Sequence, residues 1–388
     1  MHWPAWEVGR ALGIPIRVHS SWFLVFFLVT WSLATGVLPE EVPGLGSARY
    51  WGMAGVAAVL MFLSVLLHEL GHSYVAQRFR IPIERITLFL FGGVARIRKE
   101  PPHPRAEFLI AIAGPLVSFA LAAICLALLS LADFVSSEVQ PRGLIVLGLV
   151  LAQVNMTLGL FNLIPGYPLD GGRVLRAGLW AWSRDFDRAT VQAASCGIGF
   201  GLLLAFFGLL VMSWSLAGDL SGSMTVGGGW VVVIGTFLVG TALSSRRHAM
   251  LRQSLSAIPV QDIMVRAVVS IPQDLSLDEA VSRYFMPHGY GGFPVVAEGR
   301  VVGLLSVDEV QSVPRALWPW RRVAQVMQPL SPALVIAPDA PVFQALERMT
   351  QEGPDQLIVV QDEQLVGLVT HSAVAHFLRL RKPSRGQE

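Results

Sequence analysis

Two histidines four residues apart flank a glutamate in His68-Glu69-Leu70-Gly71-His72, inside a long apolar run. In a helix, positions i and i+4 share a face, so both imidazoles can converge on one metal ion. Zinc takes imidazole readily, and a catalytic zinc keeps one position open for water. Glu69 stands beside the first imidazole, where a carboxylate can take a proton from that water. A charged group at bilayer depth costs about 3 kcal/mol, so a mere polar contact between helices is a poor reason for these three residues. A catalytic zinc also needs a third protein ligand. Asn162-Leu-Ile-Pro-Gly-Tyr-Pro-Leu-Asp170-Gly-Gly172, at the end of a later apolar run, offers Asp170. Pro165, Gly166 and Pro168 break the helix there, which is tolerated at membrane depth only beside protein or water. Asp170 can also serve as N-cap of a helix over 173–182, and the two roles are compatible.

These residues are positioned by elements made for a membrane. Of the 388 residues, 53% are hydrophobic and 14% charged, which excludes both an ordinary soluble globule and a disordered chain. Six apolar runs are long enough to cross a bilayer as helices: about 19–38, 51–77, 107–132, 143–163, 190–213 and 226–245. The first has no convincing cleavage site and is kept as a span. Cys125 and Cys196 both sit in apolar runs and read as small packing residues. A formal net charge of +2 gives no reason to expect nucleic acid as a partner.

Charge asymmetry orients the spans. Arg10 and Arg17 precede the first; Arg78, Arg80, Arg85, Arg96, Arg98, Lys99 and Arg105 follow the second. Arg173, Arg176, Arg184 and Arg188 follow the fourth, and Arg246, Arg247 and Arg252 the sixth. The opposite stretches hold Glu40, Glu41 and Arg49, then Asp133, Glu138 and Arg142, then Asp219. The pattern predicts a multi-pass cell-membrane protein with both termini cytoplasmic.

Beyond about residue 256 the composition becomes that of a soluble domain, and it repeats. Val260-Gln-Asp-Ile-Met264 recurs as Val323-Ala-Gln-Val-Met327, and Val301-Val-Gly-Leu-Leu-Ser306 as Leu365-Val-Gly-Leu-Val-Thr370. Each copy reads as short strand, helix, two strands, helix. Ser276 with Glu279 is a capping-box start for one helix. The pair resembles two CBS motifs, a Bateman module, and the two halves are expected to share a core. The expected organisation is a membrane domain over 1–248, a linker over 249–259, CBS motifs over 260–314 and 323–379, and a tail over 380–388. The fold class is therefore a six-helix polytopic membrane protein plus a cytoplasmic α/β CBS pair.

Together, His68-Glu-x-x-His72 in one span and Asn162-x-x-Pro-x-x-Pro-Leu-Asp170-Gly in a later one resemble the site-2 protease family of intramembrane zinc metalloproteases, peptidase family M50. Phe91-Gly-Gly-Val-Ala95 resembles that family's strand-like segment, and Ala113-Gly-Pro115 its third core span. The resemblance runs from about Gly9 to Leu243. It implies one Zn2+ per chain held by His68, His72 and Asp170, with Glu69 as general base and Asn162 holding substrate or the developing oxyanion. It implies hydrolysis of a transmembrane substrate helix, for example that of an anti-sigma factor. The chemistry of these residues by itself supports the same roles except for Asn162, whose amide could equally satisfy the broken backbone. An exposed strand edge at Gly92-Gly93 could hold an unwound substrate.

CBS pairs resemble modules that bind ATP or another adenine nucleotide, with a carboxylate three residues after the Gly-x-x-Ser/Thr segment bonding the ribose. After Ser306 that position is Glu309, beside Asp308; after Thr370 it is Ala373. One ribose acceptor at most remains, so a nucleotide is expected mainly beside Glu309. CBS modules also pair, which implies a homodimer. Two other classes stay open: a CBS-regulated transporter or channel, and a dead relative that only binds membrane helices. The first lacks an inverted repeat, and the second is opposed by the complete hydrolytic set.

Overall fold

The computed structural model describes residues 5–90, 92–97, 99–135, 142–216, 222–351 and 355–381. Phe91, Arg98, Glu138, Asp219 and Lys382 lie outside the described residues. The chain divides into two compact units, Met1–Ala249 and Met250–Glu388.

Among the described residues of the chain, six helices are long and apolar enough to span a membrane. The first, Ser21–Glu41, comprises α1 (Ser21–Ser32), a π-helical turn and α2 (Leu38–Glu41). The others are α3 (Ser47–Arg78), α4 (Pro104–Val135), α5 (Arg142–Asn162), α7 (Phe186–Leu216) and α8 (Gly222–Ser256). The short α6 (Asp170–Ser183) lies between α5 and α7. Leu128, Leu203 and Phe206 point outward from their helices, as contact with lipid requires. Small residues face inward: Ala54, Ala58, Ala122, Ala193 and Ala242 are fully buried, which lets helix backbones approach closely. α8 continues to Ser256, past the expected end of its span and into the expected linker. No glycine or proline interrupts 241–256, so nothing in the sequence ends the helix sooner.

A four-stranded sheet in the order β1-β2-β3-β4 accompanies these helices. β4 (Gly92–Ile97) is the expected strand-like segment from Gly92 onward, and β3 (Ile83–Phe89), which was not expected, precedes it. β1 (Ala5–Ala11) and β2 (Ile14–His19) were not expected. They are joined by Leu12 and Gly13, both with positive φ, the two-residue turn that matches strand twist. Ile14, Ile16 and Val18 alternate with half-buried neighbours, a period of two that the following apolar run masks. β2 then pairs parallel with β3.

The second unit contains both repeats. The first has β5 (Ile271–Pro272), α9 (Leu277–Ala280) running through a π-helical turn into α10 (Met286–His288), β6 (Gly292–Ala297), β7 (Arg300–Ser306) and α11 (Val307–Gln311). The second has β8 (Gln328–Pro329), β9 (Val335–Ile336), α12 (Val342–Gln351), β10 (Gln356–Gln361), β11 (Gln364–Thr370) and α13 (His371–Arg381). The halves exchange their leading segments. β8 pairs with β7 of the first copy, while Val265 bridges to Leu368 of the second. Val301 and Leu304 pack with Leu334, Ile358 and Leu368, so the copies share a core, as the sequence predicts.

Candidate metal centre

α3 places the two histidines on one face, and that face meets α4. Three residues of α4 spaced four apart, Ile110, Gly114 and Ser118, form the matching stripe. The Ile110 carbonyl accepts from His72 Nδ1 at 2.6 Å. Ser118 Oγ lies 2.9 Å from His68 Nδ1. Between them Gly114 has no side chain: an ideal Cβ there would stand 2.6 Å from His68 Nε2 and would also strike His72 Nε2. One face of α4 thus aims both rings and leaves their inner nitrogens clear.

The broken segment after α5 supplies the third group. Asn162 ends α5, and the chain turns through Ile164, Gly166 and a cis Tyr167–Pro168 bond before α6 starts at Asp170. Tyr167 N–H donates to the Ala193 carbonyl of α7 at 3.2 Å, tying the turn to its neighbour. The N-cap of α6 is Leu169, so Asp170 is its first helical residue and does not cap it. Its carboxylate turns to the histidines: Asp170 Oδ2 lies 3.1 Å from both His68 Nε2 and His72 Nε2, which lie 3.2 Å from each other. All three residues are buried.

This triangle fits a zinc ion. A carbonyl can only accept, so His72 Nδ1 carries the proton and the neutral ring turns a lone pair inward. That lone pair, a second ring nitrogen and a carboxylate oxygen meet in one buried place, where a cation satisfies all three. Ligand atoms around a tetrahedral zinc are about 3.3 Å apart for bonds of about 2.0–2.1 Å, close to the observed edges. The outer nitrogens are held by a carbonyl and a hydroxyl, as metal-bound histidines require.

Glu69 lies next to the triangle and faces β4. The Ala95 N–H acts electrostatically on its carboxylate, and a Cβ on Gly93 would stand 2.5 Å from its Cγ. Gly93 is therefore what lets the strand approach the carboxylate. Arg173, one turn beyond Asp170, acts electrostatically on Glu69 and His72. The Asn162 amide donates to the Leu158 carbonyl at 3.0 Å, and among the described residues no hydrogen bond joins it to His68, Glu69, His72 or Asp170.

The sequence reading missed the supports. Ser118 and Gly114 are marked only by their small-xxx-small spacing on α4, a pattern of close helix packing. Glu107, fully buried, takes the Arg176 guanidinium at 2.8 Å through Nε and also through Nη2. Arg176 stacks on Tyr167 at 5.0 Å and Phe186 at 4.7 Å. The pair braces α4, α6 and α7 around the segment carrying Asp170.

In the CBS pair, Ser306 and Glu309 form a capping box at the start of α11: Ser306 N–H donates to Glu309 at 2.9 Å, and its hydroxyl bonds the same carboxylate. Glu309 is thus engaged within its own helix start, while Asp308 is exposed. An open cavity of about 680 Å³ lies instead by Thr370, with Asp262, Ser372, His376 and Arg379. Thr370 Oγ1 accepts from Ala373 N–H at 3.1 Å. A nucleotide beside Glu309 would have to draw that carboxylate out of its box.

The membrane part matches the model of peptidase family M50 over 56–140 and 128–206, and the second unit matches the CBS domain over 260–314 and 323–380. A putative zinc metalloprotease, Rip3, of Mycobacterium tuberculosis is 35% identical over 97% of this chain and 94% of its own. The chain belongs to peptidase family M50. The putative zinc metalloprotease sll0528 of Synechocystis is 33% identical over 96% of this chain and 95% of its own. The solved site-2 protease of Methanocaldococcus jannaschii is 33% identical, covers 63% of this chain and 95% of its own, and superposes with a TM-score of 0.43. As a member of this family the chain is a zinc metallopeptidase, and it is a multi-pass membrane protein.

Proposed function

We propose that this enzyme cuts a peptide bond within or beside the membrane-spanning helix of a membrane-anchored protein, in regulated intramembrane proteolysis. The observation that carries this is the depth of the site: His68 and His72, 3% and 5% exposed, sit inside a membrane-spanning helix with Asp170 closing the triangle.

His68, His72 and Asp170 would hold the metal. When bound, zinc supplies Lewis acidity toward water and the scissile carbonyl. Glu69 takes a proton from the attacking water and passes it to the leaving nitrogen as the C–N bond breaks and a C–O bond forms. Gly93 keeps the β4 backbone against Glu69. The substrate helix must unwind before attack, and β4, last in its sheet, offers an edge on which an extended segment can lie. Arg173 places positive charge near the developing oxyanion. Asn162 could join it only by leaving the Leu158 carbonyl.

The arginine-rich side of the spans is cytoplasmic in this reading, as are both termini and the CBS pair. The pair binds an adenine nucleotide and brings two chains together, and bound nucleotide alters cleavage if it favours one arrangement of the enzyme over another.

The test is cleavage of a model single-pass substrate by purified wild type and Glu69→Gln, with membrane proteomics of cells carrying each. A single-pass protein accumulating with Glu69→Gln supports the reading. Transport activity that survives Glu69→Gln, with no proteolysis in wild type, would establish the transporter alternative. Equal rates with and without ATP, and in a chain ending near Arg252, would leave the CBS pair as a dimerisation platform.

A further inference from the structure

On the arginine-poor side of the membrane part, the stretches between spans contain two basic residues, Arg49 and Arg142. A cation there works against the bias that orients the helices. Arg49 lies in the first turn of α3 and Arg142 is the first residue of α5. The fold brings both to one open cavity of about 630 Å³, whose walls include Val42, Met53, Val56 and Leu147. The walls are almost wholly apolar, so the two arginines border the cavity with their hydrocarbon stems and keep their guanidinium groups outside it. Both arginines are exposed, and among the described residues neither side chain makes an ion pair or hydrogen bond, with Glu40 and Glu41 included.

The glycines of the cavity keep it open. A Cβ on Gly143 would stand 2.7 Å from Met53 Cε, so glycine lets that methionine lie along the wall. A Cβ on Gly52 would meet nothing within 4 Å, so Gly52 borders empty space.

We propose that this cavity binds a single anionic phospholipid. Its acyl chain lies against Met53, Val56 and Leu147, and its phosphate stays outside the cavity, where the exposed guanidiniums of Arg49 and Arg142 can reach it. The volume is that of a ligand pocket and its walls suit a hydrocarbon chain. Guanidinium groups pair with phosphate through two parallel hydrogen bonds, and two of them with no acidic partner among the described residues select net negative charge. Gly52 lies about 24 Å along α3 from His68, at 1.5 Å per residue, so the lipid is no substrate of the metal centre. It fills the gap between α3 and α5 and so bears on the helix that carries both histidines.

The experiment is native mass spectrometry of the purified full chain after exchange into detergent with phosphatidylglycerol or phosphatidylethanolamine. Wild type should retain phosphatidylglycerol in preference. Arg49→Gln with Arg142→Gln should weaken that binding by about tenfold or more, the loss of charge-assisted hydrogen bonds. Gly52→Leu should weaken it with both arginines intact, because the side chain occupies the cavity. Zinc content, measured on the same samples, should stay at the wild-type level and shows that the fold is kept. Equal retention of the two lipids, retention by the double variant at the wild-type level, or no retained lipid in wild type would each overturn the proposal. The last result would mean that the cavity is covered by the chain itself or filled by bulk lipid.

Discussion

The Nε2 atoms of His68 and His72 stand 3.2 Å apart, while their Nδ1 atoms are anchored on Ser118 and Ile110 of the same neighbouring helix. The two rings are thus fixed by one surface of α4, and a change on α4 should reach the metal without touching a ligand.

For the proposed ligands, His68→Ala, His72→Ala and Asp170→Ala should each lose zinc, measured as metal per chain after purification. Glu69→Gln should keep it and lose turnover by at least about 10²–10⁴-fold, the usual contribution of a general base. Ser118→Ala should keep a metal bound about 10–100-fold more weakly in a chelator competition, since it removes only the partner of His68 Nδ1. Full zinc and normal activity in Asp170→Ala would remove Asp170 from the set.

Gly114→Ala should abolish zinc binding in a folded protein. The added methyl carbon would stand 2.6 Å from His68 Nε2, where the ion must sit. Gly178→Ala on α6 is the control: its Cβ meets nothing within 4 Å, so zinc and helix content should both be kept. Zinc at the wild-type level in Gly114→Ala would show that α4 yields there.

Breaking the buried pair should cost stability. Glu107 is fully buried and Arg176 nearly so, and removing one partner strands the other charge. Glu107→Leu or Arg176→Met alone should lower stability by about 3–5 kcal/mol, read as a fall in Tm by thermal shift in detergent. The double variant should recover much of the loss, because an apolar pair of similar volume strands nothing. Additive losses would show that the two do not act as a unit.

One capping box should give the CBS pair an acid sensitivity. The Ser276 N–H and hydroxyl hold the Glu279 carboxyl below its ordinary value of 4.5, with Arg283 adding to the effect. A depressed folded-state pKa stabilises above the unfolded value and is lost as pH falls through the folded one. Glu279→Ala should therefore lower the Tm of the second unit near neutral pH, and the difference from wild type should shrink below about pH 4.5. A difference independent of pH would mean that the box contributes only through its uncharged bonds.

Much of this protein is written in local pattern. Helical spacing puts His68 and His72 on one face, hydropathy marks the six spans, and Val260–Met264 recurring at Val323–Met327 announces the duplicated domain. These signals survive in one dimension because each depends on residues a few positions apart, or on a repeat that can be laid over itself. Asp170 was legible only as a carboxylate after a broken helix; that it approaches His68, 102 positions away, and does not cap α6 is a matter of how α5 and α6 pack. The Ile110–Gly114–Ser118 stripe, the Glu107–Arg176 brace and the parallel pairing of β2 with β3 are likewise contacts across distant segments. The engagement of Asn162 with Leu158 and of Glu309 with Ser306 was hidden for the opposite reason. A polar side chain has several partners within reach, and only the finished backbone decides which one it meets.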